Sequence, residues 1–323
     1  HGNNAMFFTV NTAQGMRIDP NSRISLSNND GNSQNTVFGY KAFTNNGTVL
    51  GDVGADSNVA IGDLAMGGTG SRTTATNNIA IGYQALMEVT SGSDNVCIGK
   101  DAGDSLTTEI GSICIGTNAG QKISGGTTAS DGQVFIGDHA GQDIDTGEGN
   151  MAIGYKALTL EDDGDQNTAI GWKALTAQQG TGGRVANTAV GYQAGLNILG
   201  GTENVAIGSG SMDAMAGDAD TDTVNNGFRN IAIGVDAMGA VNAGSHNTAT
   251  TNDNIAIGND ALLGASFSSS DLDLVGNIAI GSQAMDNTSN NAQTGTIAIG
   301  HSALTALTSG AGNTAVGYLA GDA

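Results

Sequence analysis

The sequence has almost no proline, few aromatic residues and no long apolar run. There is 1 Pro in 323 residues, and Phe, Tyr and Trp together make up 4% of the chain. The near absence of Pro excludes a Pro-rich linker, and collagen is excluded because Gly does not recur at every third position. No apolar run reaches the 18 residues that would predict a transmembrane helix. Since aromatic side chains normally supply much of a core, the interior must be built from small residues.

Positive charge and cysteine are also scarce. Lys and Arg number 10 against 31 Asp and Glu, so the net charge is −21 at pH 7. A surface this negative repels phosphate backbones and anionic lipid head groups. We therefore predict that neither nucleic acid nor a membrane is a partner. The 2 Cys residues are too few for a disulfide scaffold.

Glycine is abundant, with 52 residues, and much of it belongs to an internal repeat. The unit is Asn-x-Ala-Ile-Gly-x-x-Ala, as in NIAIGYQAL at residues 78–86. Fifteen copies begin at residues 35, 58, 78, 95, 112, 133, 150, 167, 187, 204, 230, 254, 277, 296 and 313. The shortest offset is 17 residues and it recurs six times, which is typical of a fixed structural coil with insertions in surface loops. We call each copy a coil and number its positions as columns from the leading Asn.

The columns predict a short strand in every coil. Column two is β-branched except at Met151, column four is Ile in twelve coils, and Ala stands between them in most. This alternation predicts a β-strand whose columns two and four face one layer, while Ala and Gly form a flat surface on the other side. We expect the flat Ala/Gly face to need a partner, because a thin coil buries little area by itself. A single helical turn after the Gly is an alternative for the following residues.

Stacking of these coils predicts an all-β fold, a parallel β-solenoid in which each strand pairs with the same strand of the next coil. Fifteen coils would extend on the order of 70 Å. The leading Asn, present in twelve coils, is predicted to form an amide ladder. Residues 1–34 are predicted to be a short β-rich lead-in segment, and residues 35–323 to be the repeat solenoid with insertion loops.

The repeat resembles that of the YadA-like head domain of trimeric autotransporter adhesins, whose signature is close to N-S-V-A-I-G, and the related repeats of bacteriophage tail-fibre proteins. The resemblance implies a homotrimer of left-handed parallel β-rolls. Residues 16–30, MRIDPNSRISLSNND, resemble a lead-in segment of tail-fibre proteins. These 323 residues show no signal-peptide pattern, heptad stalk or β-barrel anchor, and this favours the fibre proteins over the adhesins.

Column five is Gly in every coil, which predicts a positive φ or a close backbone approach there. These structural glycines are Gly39, Gly62, Gly82, Gly99, Gly116, Gly137, Gly154, Gly171, Gly191, Gly208, Gly234, Gly258, Gly281, Gly300 and Gly317. All five tyrosines and the single tryptophan lie in column six, at Tyr40, Tyr83, Tyr155, Trp172, Tyr192 and Tyr318. This aromatic row is a candidate surface for stacking on sugar rings. The competing interpretation is that the rings cover the Gly gap and pack along the trimer seam.

Other reactive residues are interpreted as structural. Cys97 and Cys114 share column three and are expected to stay reduced, because parallel in-register strands suit a disulfide poorly. The acidic inserts are expected to be solvated loops, since the second lacks the Gly and Glu of a calcium loop; they contain Glu161, Asp162, Asp163 and Asp165, and Asp218, Asp220 and Asp222. The histidines His1, His139, His246 and His301 match no catalytic or metal-binding motif. We predict no metal and no cofactor.

The sequence therefore predicts a structural, non-enzymatic protein, a phage tail-fibre shaft or receptor-binding region on the virion. Its expected partners are two further copies of the chain and a glycan or protein receptor on a host surface. The longest inserts, residues 212–229 and 242–253, are expected to carry recognition. One alternative is an adhesin head on a bacterial cell surface. Another is a polysaccharide-degrading tail spike, which would need paired carboxylates on a groove. An ice-binding solenoid is disfavoured because column two lacks a regular Thr array.

Overall fold

The computed structural model describes residues 6–10, 13–18, 24–25, 35–45, 48–49, 54–68, 74–124, 131–179, 183–215, 227–241, 250–264, 273–287, 292–307 and 310–322. They belong to two compact units, His1–Thr146 and Gly147–Ala323. The regular structure of these residues is entirely β, and most strands pair in parallel. The predicted all-β parallel β-solenoid is confirmed. Because no helix occurs in the described part of the chain, none there is long and apolar enough to cross a membrane.

The first unit contains an antiparallel sheet, a hairpin and six repeat strands. The antiparallel sheet is formed by β1 (Met6–Val10), β2 (Ala13–Ile18) and β3 (Ile24–Ser25). The remaining strands are β4 (Thr36–Phe38), β5 (Thr44–Asn45), β6 (Thr48–Val49), β7 (Val59–Ile61), β8 (Ile79–Ile81), β9 (Val96–Ile98), β10 (Ile113–Ile115) and β11 (Val134–Ile136). Strands β5 and β6 pair as the antiparallel hairpin. The six repeat strands, β4 and β7 to β11, pair in chain order and in parallel.

The second unit contains nine repeat strands and two shorter ladders. The repeat strands are β12 (Met151–Ile153), β14 (Thr168–Ile170), β16 (Thr188–Val190), β17 (Val205–Ile207), β18 (Ile231–Ile233), β20 (Ile255–Ile257), β22 (Ile278–Ile280), β24 (Ile297–Ile299) and β25 (Thr314–Val316). The shorter strands are β13 (Gly164–Asp165), β15 (Gly183–Arg184), β19 (Thr251–Asn252), β21 (Leu274–Val275) and β23 (Gln293–Thr294). They form the parallel ladders β13–β15 and β19–β21–β23, so several coils carry a second strand on another wall.

The register of the repeat strands follows the columns. Ala60 pairs with Ala80 in the first unit, and Ala232 pairs with Ala256 in the second. Each column therefore stacks on itself from one coil to the next, and the inserts between copies do not shift the pairing. Because of this register, every column becomes a row of side chains on the surface or in the core.

The alternation along the strands is confirmed, but the expected assignment of its two sides is wrong. Column three, for example Ala80, is fully buried inside its own coil, whereas columns two and four are half-buried or exposed. The opposite wall of the interior is formed by columns eight and nine, for example Ala85 and Leu86. A narrow interior filled by Leu has room only for a small residue across from it. The outer face is thus made of Ile and Val, and not of Ala and Gly.

Coils that lack a large residue in column nine fill the interior with a residue from another position. Column nine is a buried Leu, Met or Phe in most coils, but it is Gly in the last coil, at Gly321, and in the coils of Cys97, Cys114, Phe135 and Ala189. The latter four coils instead bury an apolar residue three positions later, at Leu106, Ile123, Ile144 and Ile198. The ring of Phe135 occupies the space that a Cβ on Gly120 or Gly141 would need. The Gly residues of this column therefore make room for larger residues across the interior.

The predicted amide ladder is confirmed. Asn254 Nδ2 donates to Asn230 Oδ1 at 3.0 Å and to the carbonyl of Leu274 at 2.7 Å. Asn254 Oδ1 accepts from the backbone N–H and from the Nδ2 of Asn277, both at 3.0 Å. The ladder is interrupted where the column is not Asn, and the buried hydroxyls of Ser112 and Thr296 have no hydrogen-bond partner. Asn254 thus links its own coil to the two adjacent ones.

Candidate recognition surface

The column of structural glycines has both features that favour glycine, a positive φ and a close approach of a neighbouring backbone. Its φ values lie between +131° and +145° in all fifteen coils. In thirteen coils a Cβ on this Gly would lie 2.5–2.7 Å from the carbonyl carbon of the Gly in the next coil. The backbones of adjacent coils therefore approach closely at this corner, directly before the aromatic row.

The chain after this corner is not a helical turn, so that alternative is wrong. Columns seven and nine have φ near +50° to +70° in every coil, for example 54° at Gln84 and 51° at Leu86. Residues in the left-handed region cannot continue a right-handed helix. The positive φ of these two columns is not evident from the sequence, because many of their residues are Lys, Gln, Leu and Met, which are not typical of positive φ. The resulting turn points column six outward and columns eight and nine into the core.

The structure places all six members of the aromatic row on the surface. They are Tyr40, Tyr83, Tyr155, Trp172, Tyr192 and Tyr318. Only three of them lie in consecutive coils, and these stack on one another. The ring centroids of Tyr155 and Trp172 are 5.9 Å apart, and those of Trp172 and Tyr192 are 4.9 Å apart with an angle of 5° between the planes. We call these three residues the aromatic stack.

Two lysines extend over the aromatic stack. Lys156 Nζ lies 5.5 Å from the ring centre of Tyr155, and Lys173 Nζ lies 4.5 Å from that of Trp172. Cation–π contacts of this length contribute about 0.5–1 kcal/mol at exposed sites. Within the stack the ring faces largely cover each other. A ligand ring therefore has access only to an end of the stack or to the ring edges.

The second surface feature is the outer face formed by columns two and four. Its thirty positions contain 18 Ile, 6 Val, 4 Thr, 1 Met and 1 Phe, and none is charged. The side chains are partly exposed in both units, as at Ile136, Ile207, Ile233 and Ile257. We call this surface the apolar face. Its composition contrasts with the net charge of −21 carried by the rest of the chain.

The acidic insert at residues 161–165 differs from the predicted solvated loop at one residue. Glu161 is buried, and its Oε1 accepts the backbone N–H of Gly164 at 2.8 Å and of Asp162 at 3.1 Å. Glu109 has the same role in the first unit, where its Oε2 accepts the N–H of Thr107 at 2.5 Å and of Thr108 at 2.9 Å. Burial raises the pKa of Glu109. These carboxylates hold turns in place.

The four cysteines and histidines that the structure describes, Cys97, Cys114, His139 and His301, are not grouped into a reactive centre. Cys97 and Cys114 are in-register neighbours, buried and unbridged, as predicted. Their mutual hydrogen bond, together with burial, raises the pKa of Cys97, which disfavours the reactive thiolate. His139 and His301 lie in different coils, while His1 and His246 are outside the described residues. Among the residues that the structure describes, no three His, Cys, Asp or Glu side chains are grouped to hold a metal ion.

The two inserts expected to carry recognition lie largely outside the described residues. Residues 216–226 and 242–249 belong to them, and Asp218, Asp220 and Asp222 are among these. The flanking Arg229 and Asp253 are described and form a bidentate ion pair, with Nε–Oδ1 and Nη2–Oδ2 distances of 2.7 and 3.0 Å. This pair raises the pKa of Arg229 and lowers that of Asp253. The ion pair connects the bases of the two inserts.

Comparisons with protein-family models, with curated proteins and with solved structures each gave no match to the chain.

Proposed function

We propose that the chain is a structural, non-enzymatic fibre protein that assembles as a homotrimer through its apolar face and attaches a virion to a host cell surface. The observation that carries the proposal is the thirty-position apolar face, which contains no charged residue. Monomeric proteins rarely expose a continuous apolar surface as long as the six coils of the first unit or the nine coils of the second, and such surfaces mark interaction sites.

A second copy of the chain is the partner that fits this face best. The face repeats with the coil spacing, and an identical chain presents the same spacing over its whole length. A flat receptor patch would match only a few coils. A closed symmetric assembly is also the usual way in which a chain covers such a face completely. The resemblance of the repeat to trimeric adhesin heads and tail fibres sets the expected number of chains at three.

The apolar face gives a direct test of assembly. We expect the parent chain to have the mass of three chains in light scattering after gel filtration. Replacing Ile257 by Arg, in the twelfth of the fifteen coils, should shift the particle to the monomer mass or prevent folding, because a buried, unpaired charge costs several kcal/mol. The matched control is Asn259→Arg in the same coil, which places the same charge on an exposed position outside the face. A parent that is a stable monomer, or an Ile257→Arg variant that remains a trimer, would contradict the proposal.

Attachment is assigned to the inserts, since loops on a rigid scaffold commonly carry recognition. Deleting residues 217–225 and 242–248 trims the two longest inserts so that each of the two coils keeps the minimum of 17 residues. We expect the shortened chain to keep the mass and melting temperature of the parent and to lose binding to host cells. Three copies of each loop act together in a trimer, so the loss should exceed that of one contact. If the shortened chain binds host cells as well as the parent, then recognition lies on another surface and not on these inserts.

A further inference from the structure

The aromatic stack ends at Tyr192, although the column continues. Strands β16 and β17 pair in register, and the N–H of Gly210 donates to the carbonyl of Tyr192 at 3.0 Å. Ser209 therefore occupies the next position of column six, and Gly210 the next position of column seven. No other coil has Gly in column seven. The coil after Tyr192 thus carries the smallest pair of side chains at the place where the stack would continue.

The gap has room for one ring. Adjacent strands are about 4.8 Å apart, so Val235, two coils beyond Tyr192, lies about 9.6 Å further along the column. A ring placed at the stack's own spacing of 4.9–5.9 Å would lie above Ser209, between Tyr192 and Val235. Tyr192 is 52% exposed, against 40% for Tyr155 and 38% for Trp172. The greater exposure of Tyr192 agrees with one of its ring faces being open.

The two carboxylates beside the gap determine which kind of ligand ring fits there. A Cβ built on Gly210 would touch the carboxylate of Asp236, and Asp213 Oδ2 lies 3.6 Å from the same point. Burial and then the negative charge of Asp236 raise the pKa of Asp213, which indicates that the two carboxylates share a negative region. Carboxylates accept hydrogen bonds from hydroxyl groups and repel other anions. A ring with hydroxyl donors and no negative charge fits these neighbours.

We propose that the open face of Tyr192, with Ser209 and Gly210 below it and Asp213 and Asp236 beside it, binds one neutral pyranose ring of a glycan. The C–H face of the sugar stacks on the Tyr192 ring as a fourth member of the aromatic stack, and sugar hydroxyls donate to the two carboxylates. The proposal rests on the proposed attachment function, for which it names the class of surface molecule recognised. A single site of this size binds weakly, and three copies in a trimer supply avidity.

The test places an aromatic side chain of the protein itself in the gap. Replacing Ser209 by Tyr puts at this position the residue most frequent in the column, so the fold should be retained while the sugar site is occupied. Chitotetraose and maltotetraose serve as neutral probes and tetragalacturonate as the acidic one. Binding to the 323-residue chain is followed by saturation-transfer NMR and titration calorimetry. We expect at least one neutral probe to bind, Ser209→Tyr and Tyr192→Ala to weaken it at least tenfold, and Tyr192→Phe to bind like the parent.

Three results would overturn the inference: no binding of either neutral probe, undiminished binding by Ser209→Tyr, or tighter binding of tetragalacturonate than of the neutral probes. Mass and melting temperature of each variant are measured in parallel, so that loss of binding is not confused with loss of the fold. A parent that forms trimers and attaches to host cells but binds neither sugar would overturn this site and leave the proposed function standing.

Discussion

Asn254→Ala is expected to be among the most destabilising single substitutions in the chain, although it removes only a small polar side chain. Asn254 Oδ1 is the acceptor for the backbone N–H of Asn277, and its Nδ2 donates to the carbonyl of Leu274. Both are backbone groups of buried residues, and both would lose their partners. Since an unsatisfied buried group costs about 1–3 kcal/mol, we expect a loss of about 4 kcal/mol in the free energy of unfolding.

The matched control for this variant is Asn259→Ala in the same coil. Asn259 is exposed, and its Nδ2 donates to the carbonyl of Val235 at 3.2 Å, so its removal should change stability by less than about 0.5 kcal/mol. Urea midpoints at a fixed chain concentration compare the two variants. Equal midpoints for Asn254→Ala and the parent would show that the ladder contributes no net stability.

The amide ladder and the strand positions are the parts of the fold that the sequence predicts best. An amide side chain repeated at a coil's leading position has only one arrangement that satisfies its donors and acceptor, which is stacking on its own copies. The offsets between copies never fall below 17 residues, and this constant minimum predicts that the coils stack on one another. Both inferences depend on repetition, and repetition is visible without coordinates.

The side of the sheet that faces the core could not be predicted from the strand alone. Alternation in Val-Ala-Ile shows that Ala60 points opposite to Val59 and Ile61, but it does not show which side is inside. The answer depends on the opposite wall, where Met66 fills the interior and leaves space only for Ala. Since the larger residues then lie outside, the surface open to a partner is the apolar face and not the Ala/Gly columns.

The candidate recognition surface was only partly predictable for a related reason. Column six is recognised as an aromatic row in the sequence, but stacking requires consecutive coils with no intervening polar residue. Tyr155, Trp172 and Tyr192 meet this condition. Tyr83 does not, because Lys100 follows it in the same column. The significance of Ser209 and Gly210 appears only once the end of the stack is located.

Gly154→Val is expected to disrupt the corner between adjacent coils. Gly154 has φ +131°, and a Cβ there would lie 2.7 Å from the carbonyl carbon of Gly171 and closer still to its oxygen. The substitution combines backbone strain of about 1–3 kcal/mol with a steric displacement of similar cost, so we expect a loss of about 2–6 kcal/mol per chain in the free energy of unfolding. The clash arises at the Cβ, which Ala also has. Gly154→Ala should therefore cause most of the same loss.

Gly149→Ala, five residues before Gly154, separates close backbone approach from positive φ. Gly149 has φ +63°, but its nearest neighbour would be Gln166 Cγ at 3.8 Å, and Ala186 occupies the equivalent position of another coil at φ 53°. This control should cost only the left-handed penalty of about 1–2 kcal/mol. Urea and thermal unfolding of the three variants, measured at one chain concentration, give the comparison. If Gly154→Ala and Gly149→Ala lose the same stability, then positive φ alone explains the Gly column and the contact between adjacent coils does not restrict it.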